Sequence, residues 1–562
     1  MSASKGRSHS AQSVNTVTNI TIANYLLNRL YELGVEHIFA IPGDYIIRFD
    51  KVIEEHPHIQ FINATRENTA GYLANAYSQI RGIGVACITY GVGINIANAT
   101  AQAFTESCPL IVISGAASAA EFTHCPHLHH LINTSHTERR DTTQLEIFRQ
   151  ITAAQAVLKD PANAASEIDR VLAICLAKQK PVYIELPRDC VDAIISEHTY
   201  TPKAPAKSEP AALQNINEEV KNLLDKAHRP VIWLGHEIQR FNLAPYVLKF
   251  AEKHRIPIAA SIMGKTVISE HHPLYLGVYQ GGMSREEVRD YVENSDCLLT
   301  LGVFVNDVET GLHSANLQNQ SQINALSSKI TIGTRQFKDI VFQDFIKSLE
   351  TLKLKKRYTF DSPEKRTKEA FKADRNQKTT IKSLFSCLQK HIKSEHLIIT
   401  DIGDCLFGSI DLILEKDSFI SCAYFATLGF GTPGAVGAQL AAPDRRVIGI
   451  IGDGAFQMTC TELSTAVRYH LDPIIIVINN RGYGTERPII EGSFNDIVNW
   501  NYSMLPEVFG DGVGIKTTNE MELENALAQA IVNRGRFYLI EVTIDPLDFS
   551  PAMKRFGKYI NA

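Results

Sequence analysis

The sequence predicts an α/β protein of three doubly wound domains with mainly parallel sheets. Three observations carry that expectation. Short apolar runs bounded by turn residues alternate with segments of helical apolar spacing along most of the chain, as parallel strands joined by crossover helices require. Two polar stretches interrupt the alternation, SEHTYTPKAPAKSEPAALQ at 196–214 and LKLKKRYTFDSPEKRTKEAFKADRNQKTT at 352–380. The 562 residues leave a block of domain size before, between and after them.

The first block is expected over 19–190. In TIANYLLNRLYELGVEHIFAIPGD, Ile22, Leu26, Leu30 and Leu33 share a helical face and HIFAI reads as the next strand. VACITYG, PLIVISG and PVYIELP continue the series. Residues 1–18 are polar, without the apolar centre of a signal peptide, and read as a flexible tail. The second block, 208–350, has RPVIWLG, IPIAAS, CLLTLG and KITIG as strands. The third, 378–549, has RVIGII, IIIVI and FYLIEVTID.

Apolar content of 44%, charge of 21% and a net charge of −5 describe an ordinary globular chain. They give no reason to expect nucleic acid or an anionic membrane as partner. The one basic run, KLKKR at 353–357, reads as solvated linker. No apolar run approaches the roughly 18 residues of a membrane span. Ten cysteines show no CxxC and no regular spacing, and Cys87, Cys175 and Cys297 lie in apolar runs. Free, buried thiols in a reducing, cytoplasmic compartment are expected.

The stretch that carries chemistry is GDGAFQMTCTELSTAVRYHLDPIIIVINN, 452–480. Apolar runs precede both GDG and NN, and the intervening residues have helical spacing up to the stop signal Asp472-Pro473. In such a β-α-β unit the C-terminal ends of neighbouring strands meet at a ligand crevice, which brings Asp453 beside Asn480. Hard oxygen donors beside a helix N-terminus suit Mg²⁺ bridging to a phosphate.

GDG followed by NN at this spacing resembles the thiamin diphosphate (ThDP) motif, and three further stretches extend the likeness over nearly the whole chain. They are IPGDY with TRENTAGY, the histidine-rich THCPHLHHLINTSH, and YFATLGFGTPGAVGAQ, while NNRGYGTERP continues the opening motif. Together they resemble the ThDP-dependent 2-oxo acid decarboxylases of the pyruvate, indolepyruvate and phenylpyruvate type, whose chains have pyrimidine-binding, middle and diphosphate-binding domains.

The resemblance implies Mg²⁺ ligation by Asp453, Asn480 and the carbonyl of Gly482, with Gly454 and Ala455 also at the cofactor. It implies that Glu67 assists the aminopyrimidine, that the carbonyl of Ala426 accepts from it, and that Leu428 props the cofactor in a bent shape. Asp44, an adjacent histidine pair and Glu486 become the catalytic proton carriers. Counting forward from Gly115 places the pair at His129 and His130. Counting backward from DTTQLEIFRQIT places it at Ser135-His136, so His136 is the reserve. A Zn²⁺ site among His124, Cys125, His127, His129 and His130 is the rival reading of this loop.

The activity implied is non-oxidative decarboxylation of a 2-oxo acid to an aldehyde and CO₂, in a homodimer at minimum, with a tetramer common in the family. DIGDCLFGS at 401–409 resembles the phenylpyruvate type more than the pyruvate type; with the small Thr485 this implies a pocket lined by Ile402, Leu406, Phe425 and Thr485, and phenylpyruvate, indolepyruvate or other bulky acids as substrates. Pyruvate is the alternative substrate. An acetolactate-synthase-like carboligase, and a ThDP-binding scaffold without turnover, are the competing functions.

Overall fold

A computed structural model describes all residues except 1–15, 18, 126, 134–140, 202–203, 319–320, 361–370 and 561–562. The chain divides into two compact units. Residues 1–74, 83–104 and 109–206 form the first, and 75–82, 105–108 and 207–562 the second.

In the first unit, the apolar face of the helix Ile22–Glu32 is buried as its spacing predicts, and Thr21 caps it by accepting from Asn24 N at 3.1 Å. The unit's main sheet has six parallel strands in the order Gln60–Asn63, His37–Ala40, Gly84–Ile88, Leu110–Ala116, Val182–Pro187 and Gln155–Val157. Leu110–Ala116 and Val182–Pro187 are buried throughout, which is why they read as unbroken apolar runs rather than as alternation. The residues that follow strand ends include Asp44, Gly91 and the segment after Ala116, so the chemistry-bearing loops gather at one edge.

The second unit holds two sheets. One has seven strands in the order Tyr275–Val278, Ile258–Ala260, Pro230–Leu234, Cys297–Leu301, Ser321–Leu326, Lys329–Ile332 and Arg335–Phe337. The other has six parallel strands in the order Phe419–Ser421, His396–Thr400, Arg446–Gly452, Ile474–Asn479, Tyr538–Thr543 and Val513–Thr517. A fully buried Lys265–Glu270 ion pair ties the segments around them together. Lys265 donates to the Leu412 carbonyl at 2.7 Å, and Glu270 accepts from Leu414 N at 2.9 Å.

Three expectations change. KITIG is a strand, but it returns antiparallel on Ser321–Leu326 through the two-residue turn at Ser327 and Ser328, so this sheet is mixed. The polar N-terminal stretch is not tail to residue 18, because Thr16–Val17 pair with His198–Thr199 from the first linker. The basic run at 353–357 is not simply solvated linker, since Leu352, Tyr358 and Phe360 around it bury into the core of the seven-stranded sheet. Nine of the ten cysteines are buried and free, Cys125 being the exposed one. Among the described residues no helix is long and apolar enough to cross a membrane.

Candidate active site

Two groups of side chains bear chemistry, one in each unit. In the second unit, Arg446–Gly452 and Ile474–Asn479 pair in parallel with Gly452 opposite Ile478, so Asp453 and Asn480 leave neighbouring strand ends. Asp453 has no exposed surface. Its carboxylate accepts from Gly454 N at 2.8 Å and Arg481 N at 2.6 Å, yet burial still raises its pKa to about 6. Asn480 extends one terminal amide atom to 3.1 Å from Asp453 Oδ1 and 2.9 Å from the Gly482 carbonyl. With nitrogen there, both contacts are hydrogen bonds. With oxygen there, three acceptors face one another, a set that suits a hard divalent cation. These three residues therefore fit Mg²⁺.

Local backbone explains the sequence around them. A Cβ at Gly482 would stand 2.1 Å from the Asn495 carbonyl, and one at Gly454 would meet the Tyr483 ring at 2.7 Å. The helix expected after GDG is broken into Asp453–Thr459 and Leu463–Arg468 by a 3₁₀ turn. Ala455 is buried in its first turn.

The turn carrying Ala426 and Leu428 is held by two buried carboxylates to which sequence reasoning assigned no role. Glu106 accepts from Tyr424 N at 3.1 Å and Phe425 N at 2.9 Å. Asp401 accepts from Gly429 N at 3.1 Å and Gly431 N at 2.7 Å, and burial raises its pKa to about 6. Between these clamps Ala426 adopts φ +56°, a left-handed conformation uncommon outside glycine. Leu428 stays 39% exposed. An exposed leucine on a backbone pinned by buried charge fits a wedge against a bound cofactor. Asp401 had a usable signal, an acidic residue directly after the strand His396–Thr400. Glu106 had none, since it lies over 300 positions from its partners.

Thr485 and Gly403 come together, with a Cβ on Gly403 falling 3.6 Å from Thr485 Cγ2. Ile402 and Phe425 are half-buried, whereas Leu406 is completely buried in the core that Ile402 also packs against. Leu406 lies in the helix Asp404–Ser409, among its buried residues. Glu486 is exposed. The arginine after it turns away: Arg487 is buried and pairs with Glu491 at 2.6 Å and Asp496 at 2.7 Å, tethering the turn without neutralising Glu486.

In the first unit, His129 Nε2 lies 2.8 Å from Asp44 Oδ2, and His130 Nε2 lies 4.0 Å from Asp44 Oδ1. Tyr45 donates to the His129 carbonyl at 3.0 Å and stacks on its ring at 5.2 Å. His130 adopts φ +67°, and its carbonyl packs where a Cβ on Gly91 would sit, at 2.0 Å. Asp141 accepts from Ile132 N at 2.7 Å and Thr143 N at 2.9 Å, so it closes the loop behind the pair. Those hydrogen bonds outweigh burial and hold its carboxyl below the usual carboxylate range. His136 lies outside the described residues. Glu67 opens the helix Glu67–Arg81, half-buried, and accepts from Asn95 Nδ2 at 3.2 Å. That leaves a carboxyl with one neutral partner, able to engage a ring nitrogen.

Comparison with known proteins identifies the domains. Residues 20–144, 217–352 and 401–542 match, respectively, the N-terminal TPP binding, central and C-terminal TPP binding domains of thiamine pyrophosphate enzymes. The chain is 33% identical over 543 residues to an indole-3-pyruvate decarboxylase of Azospirillum brasilense, covering 95% of this chain and 97% of that one. It is 31% identical over 539 residues to an alpha-keto-acid decarboxylase of Mycobacterium tuberculosis (strain ATCC 25618 / H37Rv), covering 94% and 95%. It is 29% identical over 566 residues to pyruvate decarboxylase 1 of Arabidopsis thaliana, covering 96% and 91%.

Proposed function

The chain belongs to the thiamin diphosphate-dependent 2-oxo acid decarboxylases, and from that premise we propose that it acts on aromatic or other bulky 2-oxo acids with Mg²⁺ as second cofactor. It is a carboxy-lyase, releasing CO₂ and an aldehyde. The single observation that carries the substrate reading is the meeting of Thr485 with Gly403, two small residues facing one another beside Ile402. The relative named indole-3-pyruvate decarboxylase points the same way.

Thiamin diphosphate, when bound, supplies the electron sink that lets CO₂ depart. Asp453, Asn480 and the Gly482 carbonyl hold the metal, with Gly454 and Ala455 beside the diphosphate. Glu67 holds a proton at the aminopyrimidine nitrogen N1′, while the Ala426 carbonyl and Leu428 orient the cofactor. Asp44, His129, His130 and Glu486 move protons at the substrate-derived carbon and oxygen. Ile402, Phe425 and Thr485 exclude water from the reacting carbon and select the side chain, with Leu406 behind them. A homodimer at minimum, a homotetramer as the full assembly, and a cytoplasmic setting that keeps the buried thiols reduced complete the reading.

The test is aldehyde release with ThDP and Mg²⁺ from pyruvate, phenylpyruvate, indolepyruvate and a branched 2-oxo acid. The expected result is faster turnover of an aromatic acid. Preference for pyruvate overturns the pocket reading, and a carboligation product without aldehyde would move the chain to the acetolactate-synthase type.

A further inference from the structure

Asp44, His129 and His130 offer three ligand atoms that lie within 4.8 Å of one another, in a chain whose Mg²⁺ donors are all oxygens on a different unit. The set is two imidazoles and one carboxylate, the mixture that suits zinc-class transition metals and that Mg²⁺ does not seek. Tetrahedral Zn²⁺ bound at 2.0–2.1 Å needs its ligands about 3.3 Å apart. The observed 2.8 Å and 4.0 Å separations from Asp44 straddle that value. The two rings stand 4.4 Å apart at 54°, brought side by side by the left-handed backbone at His130.

Two further features resemble a ligating site. Tyr45 Oη lies 3.5 Å from His129 Nδ1, on the side of the ring away from Asp44, so an outer partner orients the ring while Nε2 is left for a ligand. The site is also open: the side chains of His129, Asp44 and His130 are 63%, 41% and 29% exposed, which leaves coordination positions for water. The rival sequence reading, a site spread over His124, Cys125 and His127 as well, is not what the structure assembles. Among the described residues the cluster is Asp44, His129 and His130 alone.

We propose that Asp44, His129 and His130 form a chelating site for a zinc-class divalent cation, and that its occupancy switches the enzyme off. Binding takes the lone pairs of both imidazoles and a carboxylate oxygen, displacing protons or water without any redox change. Those are the groups the reaction uses to move protons. The binding half stands on the geometry; the inhibitory half rests on the decarboxylase reading.

The experiment uses the full-length protein, freed of ThDP and Mg²⁺, titrated with Co²⁺ as the spectroscopic probe and Zn²⁺ as competitor. One Co²⁺ per chain is expected, with the visible bands of a low-coordinate N/O site that Zn²⁺ abolishes and excess Mg²⁺ does not. Asp44→Asn, His129→Gln and His130→Gln should each weaken binding by more than about 100-fold, beyond what losing an outer partner costs. Cys125→Ser should leave it unchanged. No saturable binding, or binding lost with Cys125→Ser but kept in His129→Gln, overturns the site. In the ThDP–Mg²⁺ holoenzyme, Zn²⁺ should stop aldehyde release and a chelator selective for zinc should restore it. Full activity with the site occupied overturns the switch but leaves the decarboxylase reading intact. Absence of aldehyde in zinc-free controls that hold ThDP and Mg²⁺ defeats that reading while the Co²⁺ titration still decides the site.

Discussion

Thr485 and Gly403, which follow the strands Ile474–Asn479 and His396–Thr400 of one parallel sheet, face one another with only 3.6 Å between Thr485 Cγ2 and the place a Gly403 side chain would start. Filling that space should narrow the pocket. Thr485→Leu is expected to lower kcat/KM for phenylpyruvate relative to pyruvate by roughly 10–200-fold, the range that one or a few methylenes command. Competition assays with the two acids measure it, and an unchanged ratio removes Thr485 from the wall.

Asp453 is buried and aims at the Asn480 amide and the Gly482 carbonyl. Asp453→Ala should abolish Mg²⁺-dependent retention of ThDP in equilibrium dialysis, and a chelator should do the same to the unaltered protein. Retention in both cases would count against the metal assignment.

Glu67 bonds to one neutral partner, Asn95. Glu67→Gln keeps that contact and removes the acid. Exchange of the C2 proton of bound ThDP, followed by NMR after acid quench, should slow by about 10²–10⁴-fold. Wild-type exchange in a variant that still binds ThDP would eliminate the role.

Asp401 holds the backbone of Gly429 and Gly431. Asp401→Ala orphans those N–H groups in a buried place, at a cost of about 1–3 kcal/mol each. Urea midpoints should fall accordingly, and ThDP affinity should fall with them, because the pinned turn carries Ala426 and Leu428. A stable variant with unchanged ThDP affinity would show that the turn holds itself.

Asp50 gives a pH dependence with a definite sign. It is 7% exposed beneath Cys87, whose thiol is its weak partner at 3.8 Å, and burial raises its pKa to about 7. Unfolded, it titrates near 3.9. Between those values the folded chain holds a proton that the unfolded chain does not, so this contribution is full below about pH 4 and is lost as pH rises through about 7. Asp50→Asn should flatten the fall in stability over that window, by an amount on the order of a few kcal/mol. Equal slopes in both proteins would show that Asp50 is ionised when folded.

What could be read along the chain was whatever depends on neighbours in sequence. Buried parallel strands announce themselves as apolar runs, because both faces are covered, and the β-α-β geometry then forces Asp453 and Asn480 to adjacent strand ends. The histidine pair was harder. Counting from either side of its loop gave two answers; among the described residues Tyr45 and Gly91 pack against His129 and His130 beside Asp44, while Ser135 and His136 lie outside them.

The remaining decisions belong to tertiary structure. KITIG carries the strand signal, but its direction depends on the two-residue turn before it. Leu406 looks like pocket lining in DIGDCLFGS, yet a helix begins at Asp404 and turns it into the core. Glu106 clamps a turn more than 300 residues away, and Arg487 is drawn from Glu486 by Glu491 and Asp496. A sequence specifies which groups can bond, but a buried carboxylate takes whichever backbone donors the packed elements leave unsatisfied beside it, and that is settled only when the elements meet.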